Sequence, residues 1–498
     1  MTLSALPLVL AVAAASLLYQ YIIYPAFLSP LFKIPTGHWF AHISPLWILS
    51  VRRRRQENQT VFELHEKYGK AVRLAPNTVS LNCYEGGLKQ VYLGGFPKNI
   101  SMSTDSPTLG MTGPGALDNA AHSARKRILS HTFSKTFVAS SPTARETIRE
   151  ILFRHTLPII DDHASQGKPL EMLTLLYSYS MVSFIHWQFG RSAGSNLIRK
   201  DEEKWAEFPL FARRMMRLGV QLLPMNILRG RRKIDGWNLE RCDKAQKVIT
   251  APAKHQPMDA ERSDDYPAVY AQAYKSLTSS DNQTQKAAEK RSYSTEIDIA
   301  ADMLMLEGAA LETTGATLSY VLLELSRNPI VQEKLREELQ TLSPNLKYPG
   351  KETEIELPSP KDVDALPPIP GRQERMVPRT CSLGGYSDIP TGTTVYCSAY
   401  SLHRKADVFP ELLVWRPERW LDASPKQLSE MRRWFWAFGS GAQMCIGSNF
   451  ALYSMKYVAG AIYSTYRTRI HDHGDMEQKD GYIAGPKGNR LELIFERY

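Results

Sequence analysis

Hydrophobic and polar positions divide this chain into stretches of unlike character. From Leu3 to Tyr24 no charged residue occurs, and a helix of that length, at ~1.5 Å per residue, extends about 33 Å, enough to cross a bilayer core. Pro25, Pro30 and Pro35 with Gly37 follow, which predicts a break in that helix and a short stiff linker to a globular body. Between Val61 and Asn82 a helix-like pattern gives way to strict alternation, predicting a helix and then a hairpin. A polar stretch from Ala253 to Ser294 has weak periodicity and predicts a surface loop with broken helices. From Thr295 to Leu325 the chain is apolar and nearly free of Gly and Pro, the pattern of one long buried helix.

Charge changes the picture at the amino terminus. Nothing basic precedes the apolar segment, whereas Arg52, Arg53, Arg54 and Arg55 follow it, so the positive-inside rule places the body in the cytosol. The segment reads as a signal anchor in the endoplasmic reticulum membrane. A cleaved signal peptide is the rival, since Ala11 to Ala15 offers small residues, but the basic leading region is absent. Asn58, Asn99 and Asn282 begin glycosylation sequons that a lumenal body would carry modified. The net charge of +10 admits nucleic acid, anionic lipid or an acidic protein partner, and no nucleic-acid motif supports the first. The five cysteines, at positions 83, 242, 381, 397 and 445, are widely spaced and without CxxC pairs, which argues against a disulfide framework or a zinc site.

Cys445 carries the candidate chemistry. It lies in Phe438-Gly-Ser-Gly441-Ala-Gln443-Met-Cys445-Ile-Gly447, where glycines let backbone approach a large flat cofactor closely and a thiolate can serve as a soft ligand for iron. Backbone N–H groups freed in such a turn can point at the sulfur and tune it. The segment resembles the haem-binding loop of cytochrome P450, FxxGxRxCxG, with Gln443 in place of the arginine. The resemblance implies a mainly α fold with a small β region and an amino-terminal transmembrane anchor: residues 1–28 as the anchor and 29–498 as the haem-thiolate domain. It also implies Cys445 as the axial ligand of haem b, with Phe438 beside the sulfur and Gly441 and Gly447 shaping the loop.

Other segments carry the same resemblance. Ala309-Ala-Leu-Glu312-Thr313-Thr314 is similar to the oxygen-binding groove of the family's central helix, AGxETT, with Ala310 for the glycine; Thr313 would then serve O2 activation and Glu312 proton relay. His122-Ser-Ala-Arg-Lys126 is similar to WxxxR, which assigns His122 and Lys126 to a haem propionate. Arg375 matches a strand position that gives another propionate contact, with Arg372 as the weaker choice. Trp415-Arg416-Pro417-Glu418-Arg419-Trp420 resembles the PERF segment, whose role is structural. The implied function is a monooxygenase that oxidises a lipophilic small molecule with O2 and electrons from an NADPH-dependent reductase. The sequence style resembles filamentous-fungal secondary metabolism.

One motif is missing. The family places a helix bearing ExxR between segments like Asp364-Ala-Leu366-Pro367 and Pro368-Ile369-Pro370, and here these abut. Glu333-Lys-Leu-Arg336 has the spacing but reads as the preceding exposed helix. The rival function is therefore a haem-poor, inactive remnant or mis-spliced form. A haem-thiolate isomerase that needs no reductase is a third reading, against which the Glu312-Thr313 pair speaks.

Overall fold

The computed structural model describes residues 5–98, 105–106, 110–111, 119–194, 198, 225–251, 264–278, 295–342, 345–349, 371–411 and 414–498. Helix α1 (Ala5–Leu18) continues without interruption through Tyr19–Leu28 in a wider i→i+5 register. Pro25 lies inside that continuation, so it does not break the helix as the sequence reading expected. The loosened register gives room for the pyrrolidine ring, and the break comes at Ser29, whose extended backbone precedes Pro30. Pro7–Leu28 forms an apolar span of 22 residues, exposed along nearly all its length and buried only near its end at Ala26, compatible with a membrane anchor.

Helices α2 (Leu46–Arg53) and α3 (Glu57–Tyr68) lead into the predicted hairpin. Its strands β1 (Ala71–Ala75) and β2 (Thr78–Leu81) pair antiparallel. Of the later strands, β4 (Arg375–Met376), β5 (Cys381–Leu383), β6 (Tyr386–Ile389) and β7 (Thr394–Tyr396) lie together in sequence. The larger sheet has the order β1-β2-β7-β4, in which β2 and β7 run parallel and β4 returns antiparallel with Arg375 opposite Val395. A second sheet joins β3 (Leu170–Glu171) to the pair β8 (Tyr466–Asp472) and β9 (Glu492–Arg497).

The body is helical: α4 (Asn119–Ser130), α5 (Met172–Phe189), α6 (Met225–Thr250), α7 (Ala268–Thr278), α8 (Thr295–Arg327), α9 (Pro329–Gln340) and α10 (Ser448–Thr465). The long apolar stretch is α8, and α7 is the one helix described within the polar stretch around 253–294. Almost every residue of α5 is buried, because it lies inside the bundle against α8. Gly315 permits that crossing: a Cβ there would sit 2.9 Å from the Cα of Tyr177. Ser180 Oγ donates to the Ala310 carbonyl at 2.8 Å and Gln188 Nε2 to Glu307 Oε1 at 2.9 Å, so polar groups fix the helices where apolar packing alone would let them slide. Trp187 of α5 stacks on Phe450 of α10 with centroids 4.3 Å apart, which seats the helix that follows the cysteine loop.

The segment where the ExxR helix is missing, 364–370, lies outside the described residues. Glu333 and Arg336 form an ion pair with each other on α9, whose surface position agrees with the reading of that string as an exposed helix. Asn99 and Asn282 also lie outside the described residues, whereas Asn58 is buried in α3 and donates from Nδ2 to the Gly481 carbonyl at 3.0 Å. A glycan could not be attached to Asn58 in this fold, so its sequon cannot report the topology.

Candidate active site

The cysteine loop is a tight return. Cys445 N–H donates to the Phe438 carbonyl at 2.8 Å and Met444 N–H to that of Gly441 at 3.0 Å. Gly439 and Gly441 hold φ of +68° and +70°, and a Cβ on Gly441 would meet the Tyr92 carbonyl oxygen at 2.3 Å. Gly447 is the N-cap of α10, so the sulfur faces the positive end of a helix. The N–H groups of Gly447 and Ser448 point at it. Enclosure by protein pushes the Cys445 thiol up, while those two N–H groups and Lys126 pull the other way. Its surface stays accessible, so the sulfur is ringed by protein yet open on one side. Phe438 is half-buried at the start of the return.

Basic side chains converge beside this loop. Lys126, on α4, donates from Nζ to the Ala442 and Met444 carbonyls at 3.0 and 2.6 Å, on either side of Gln443. It thus brings a cation to the position where the family's arginine is replaced. One turn earlier on α4, His122 is buried with its Nδ1 lacking any hydrogen-bond partner among the described residues. Burial lowers its pKa to about 4, helped by Lys98, Lys126 and Arg375. Arg375, in β4, is buried over the Tyr92 ring at 4.9 Å and donates to the Glu374 carbonyl at 2.8 Å.

Lys98 belongs to this cluster and sequence reasoning missed it. It forms an antiparallel bridge with Arg375, so both side chains leave the same face. Burial lowers the Lys98 pKa to about 8, with Arg375 adding to the effect. No local motif marks it; the bridge to a strand nearly three hundred positions away in sequence does. Tyr92 was also missed, although it is a hub: its hydroxyl donates to the Gln373 carbonyl at 2.6 Å and accepts from Cys397 N–H at 2.8 Å, and its ring meets Trp436 at 4.6 Å. Arg372, the weaker propionate candidate, is instead engaged by Glu57 and by Glu374, the latter at 2.8 Å.

Arg125 joins the cation-bearing helix α4 to α8 through Asp298 and Asp302, each at 3.3 Å. On α8, Ala309 is exposed and Ala310 and Thr313 half-buried, while Glu312, about 100° further round, is buried. Thr313 Oγ1 donates to the Ala309 carbonyl at 2.7 Å. With the Ser180 bond to Ala310, the carbonyls of two successive residues each accept from a side-chain hydroxyl. Arg419 of the PERF-like segment donates to the Glu411 and Val414 carbonyls, both at 3.0 Å.

These features form a soft ligand at a helix amino terminus beside a group of basic side chains, of which His122 and Lys98 are held down in protonation by burial and by the neighbouring cations. That donor set suits a planar, dianionic iron cofactor. The family model for cytochrome P450 matches residues 41–492. The chain belongs to the cytochrome P450 family. As a P450 it is a monooxygenase whose chemistry rests on haem-thiolate iron and O2. It is 26% identical over 476 residues to cytochrome P450 monooxygenase FGM1 of Gibberella zeae, covering 89% of this chain and 88% of that protein. It is also 26% identical over 429 residues to cytochrome P450 monooxygenase avaI of Aspergillus versicolor, covering 80% of this chain and 95% of that one. Cytochrome P450 3A6 of Oryctolagus cuniculus is 32% identical over 180 residues, 35% of each chain.

Proposed function

We propose that this P450 is an anchored microsomal monooxygenase that oxidises a lipophilic small molecule, a secondary-metabolite intermediate, with electrons from an NADPH-dependent reductase. The observation that carries the reading is the pairing of Cys445, held by two N–H groups at the start of α10, with the basic cluster of buried Lys98, His122 and Arg375 and half-buried Lys126. The cofactor is haem b. When bound, it supplies the reduction of O2 and the transfer of one oxygen atom to substrate. Cys445 is its thiolate ligand and Phe438 shields the sulfur; Gly441 and Gly447 shape the loop; the four basic groups hold the propionates. Thr313 and Glu312 deliver protons along α8, with the Thr313 hydroxyl exchanging its bond to Ala309 for one toward the open side of the helix. The apolar span and the arginine run Arg52 to Arg55 that follows it support a body on the cytosolic face of the endoplasmic reticulum, where a reductase is available.

The rival, a haem-poor remnant, is favoured by one observation: Leu366-Pro367 runs directly into Pro368-Ile369-Pro370. Reconstitution of the full chain with a P450 reductase separates the two. We expect the purified chain to hold haem near one per polypeptide and to consume NADPH, with Thr313→Ala diverting electrons into hydrogen peroxide. Haem-free protein that acquires haem only when an ExxR helix is inserted between Pro367 and Pro368 would establish the remnant reading.

A further inference from the structure

Arg73 has no part in the chemistry above, yet it is the most completely buried cation described, at 0% exposure in the middle of β1. Every hydrogen-bond partner of its guanidinium is neutral. Nη1 donates to the Pro25 carbonyl at 3.0 Å and lies 3.0 Å from His42 Nδ1, Nη2 donates to the Pro76 carbonyl at 2.7 Å, and longer bonds reach the carbonyls of His42 and Ala75. Such an arrangement is costly unless the charge meets something electronegative. Pro25 belongs to the last turn of the anchor helix, which ends at Leu28, and carbonyls there carry the negative end of the helix dipole.

The sequence explains why this carbonyl is free for Arg73. In the i→i+5 register of this turn, Ser29 N–H donates to Tyr24 at 2.8 Å. The next donor in the series would be residue 30, and Pro30 has no N–H. Arg73 stands in for it. The backbone of Arg73 also accepts the linker: its N–H donates to the Pro35 carbonyl at 2.8 Å and it bridges to Thr36. Ala26, Leu31 and Ile34 are buried against the body, so anchor end and linker are docked along their length. Beside the dock Phe27, Phe32 and Trp39, the last 71% exposed, project outward, as aromatic groups do at a lipid–water boundary.

We propose that Arg73 is a socket for the carboxyl-terminal end of the anchor helix, fixing the angle at which the globular body rides on its membrane. The anchor is then a docked strut and the body does not swing freely. Burial lowers the Arg73 pKa to about 10, which leaves it charged at neutral pH.

Trypsin treatment of the full chain in phosphatidylcholine nanodiscs tests this, because Lys33 is exposed within the docked linker. Cleavage after Lys33, read by mass spectrometry against cleavage at Arg53–Arg55, reports opening of the dock. Arg73→Gln should raise that ratio by about tenfold, the population change expected when a charged hydrogen bond is lost. Pro30→Ala on its own, which gives the Pro25 carbonyl a backbone donor inside the anchor helix and so competes with Arg73 for it, should raise the ratio in the same direction. An Arg73→Gln body that keeps its near-ultraviolet circular dichroism and the wild-type cleavage ratio overturns the proposal. If Arg73→Gln does not fold, His42→Leu serves instead: a raised ratio at an unchanged unfolding midpoint supports the socket, and an unchanged ratio refutes it.

Discussion

Lys98→Met separates the cofactor role of the basic cluster from a merely structural one, because the two roles predict opposite signs. In the chain without cofactor, Lys98 and Arg375 face each other across a β-bridge, both buried. The fall of the Lys98 pKa to about 8 from 10.5 corresponds to roughly 3 kcal/mol against the charged form. Screening by the water that still reaches the ammonium reduces this to about 1–2 kcal/mol. Methionine keeps most of the aliphatic stem and removes the charge. Urea unfolding of haem-free protein should therefore show Lys98→Met to be more stable than wild type by about 1–2 kcal/mol. Haem retention should move the other way. Loss of one charge-assisted bond to a propionate is worth about 1.5–3 kcal/mol, so transfer of haem to apomyoglobin should be faster by about one to two orders of magnitude. A variant destabilised without haem, or one with unchanged haem transfer, would refute the assignment.

Two further predictions follow from the loop and the core. Gly441→Ala places a methyl group on the Tyr92 carbonyl at a backbone angle of +70°; the cost is about 2–4 kcal/mol, to be read as a lowered unfolding midpoint, whereas Gly447→Ala, whose Cβ would meet nothing nearer than the Cys445 sulfur at 3.9 Å, should cost far less. His65 is held neutral between the Gly69 carbonyl at 2.7 Å and Ser80 Oγ at 2.8 Å, and burial lowers its pKa to about 4. Below pH 6.5 the unfolded chain takes up a proton that the folded chain refuses, so stability falls as pH drops from 6.5 and levels near pH 4, by roughly 3 kcal/mol for this group. Urea midpoints across that range should show a shallower acid slope for His65→Gln than for wild type; equal slopes would count against the buried neutral histidine.

The parts of the fold that were legible are those written in local periodicity. The apolar run became α1 and its continuation, alternation after Tyr68 became β1 and β2, and the stretch around Glu312 became α8. Pro25 misled because a proline's effect depends on register: inside a widened turn it is accommodated, and the helix breaks only at Ser29, ahead of Pro30. Cys445 was legible because glycine spacing constrains a loop that the backbone alone must build. Lys98, Tyr92 and Ser180 were not, since each acts through a partner far away in sequence: Arg375, Cys397 and Ala310. Asn58 shows the converse, a motif fully visible in sequence whose side chain the fold spends on Gly481.

Every active-site role proposed above depends on Cys445 being the ligand of a haem iron. The reduced, carbon monoxide-bound difference spectrum of the full chain in its membrane, beside Cys445→Ala and Cys445→His, tests that most directly. A thiolate-type Soret band in the wild type, with loss in Cys445→Ala and a shift to the position of a histidine-ligated haem in Cys445→His, is the predicted result. A wild-type band at the histidine-ligated position alone, or a thiolate-type band that survives Cys445→Ala, would contradict it.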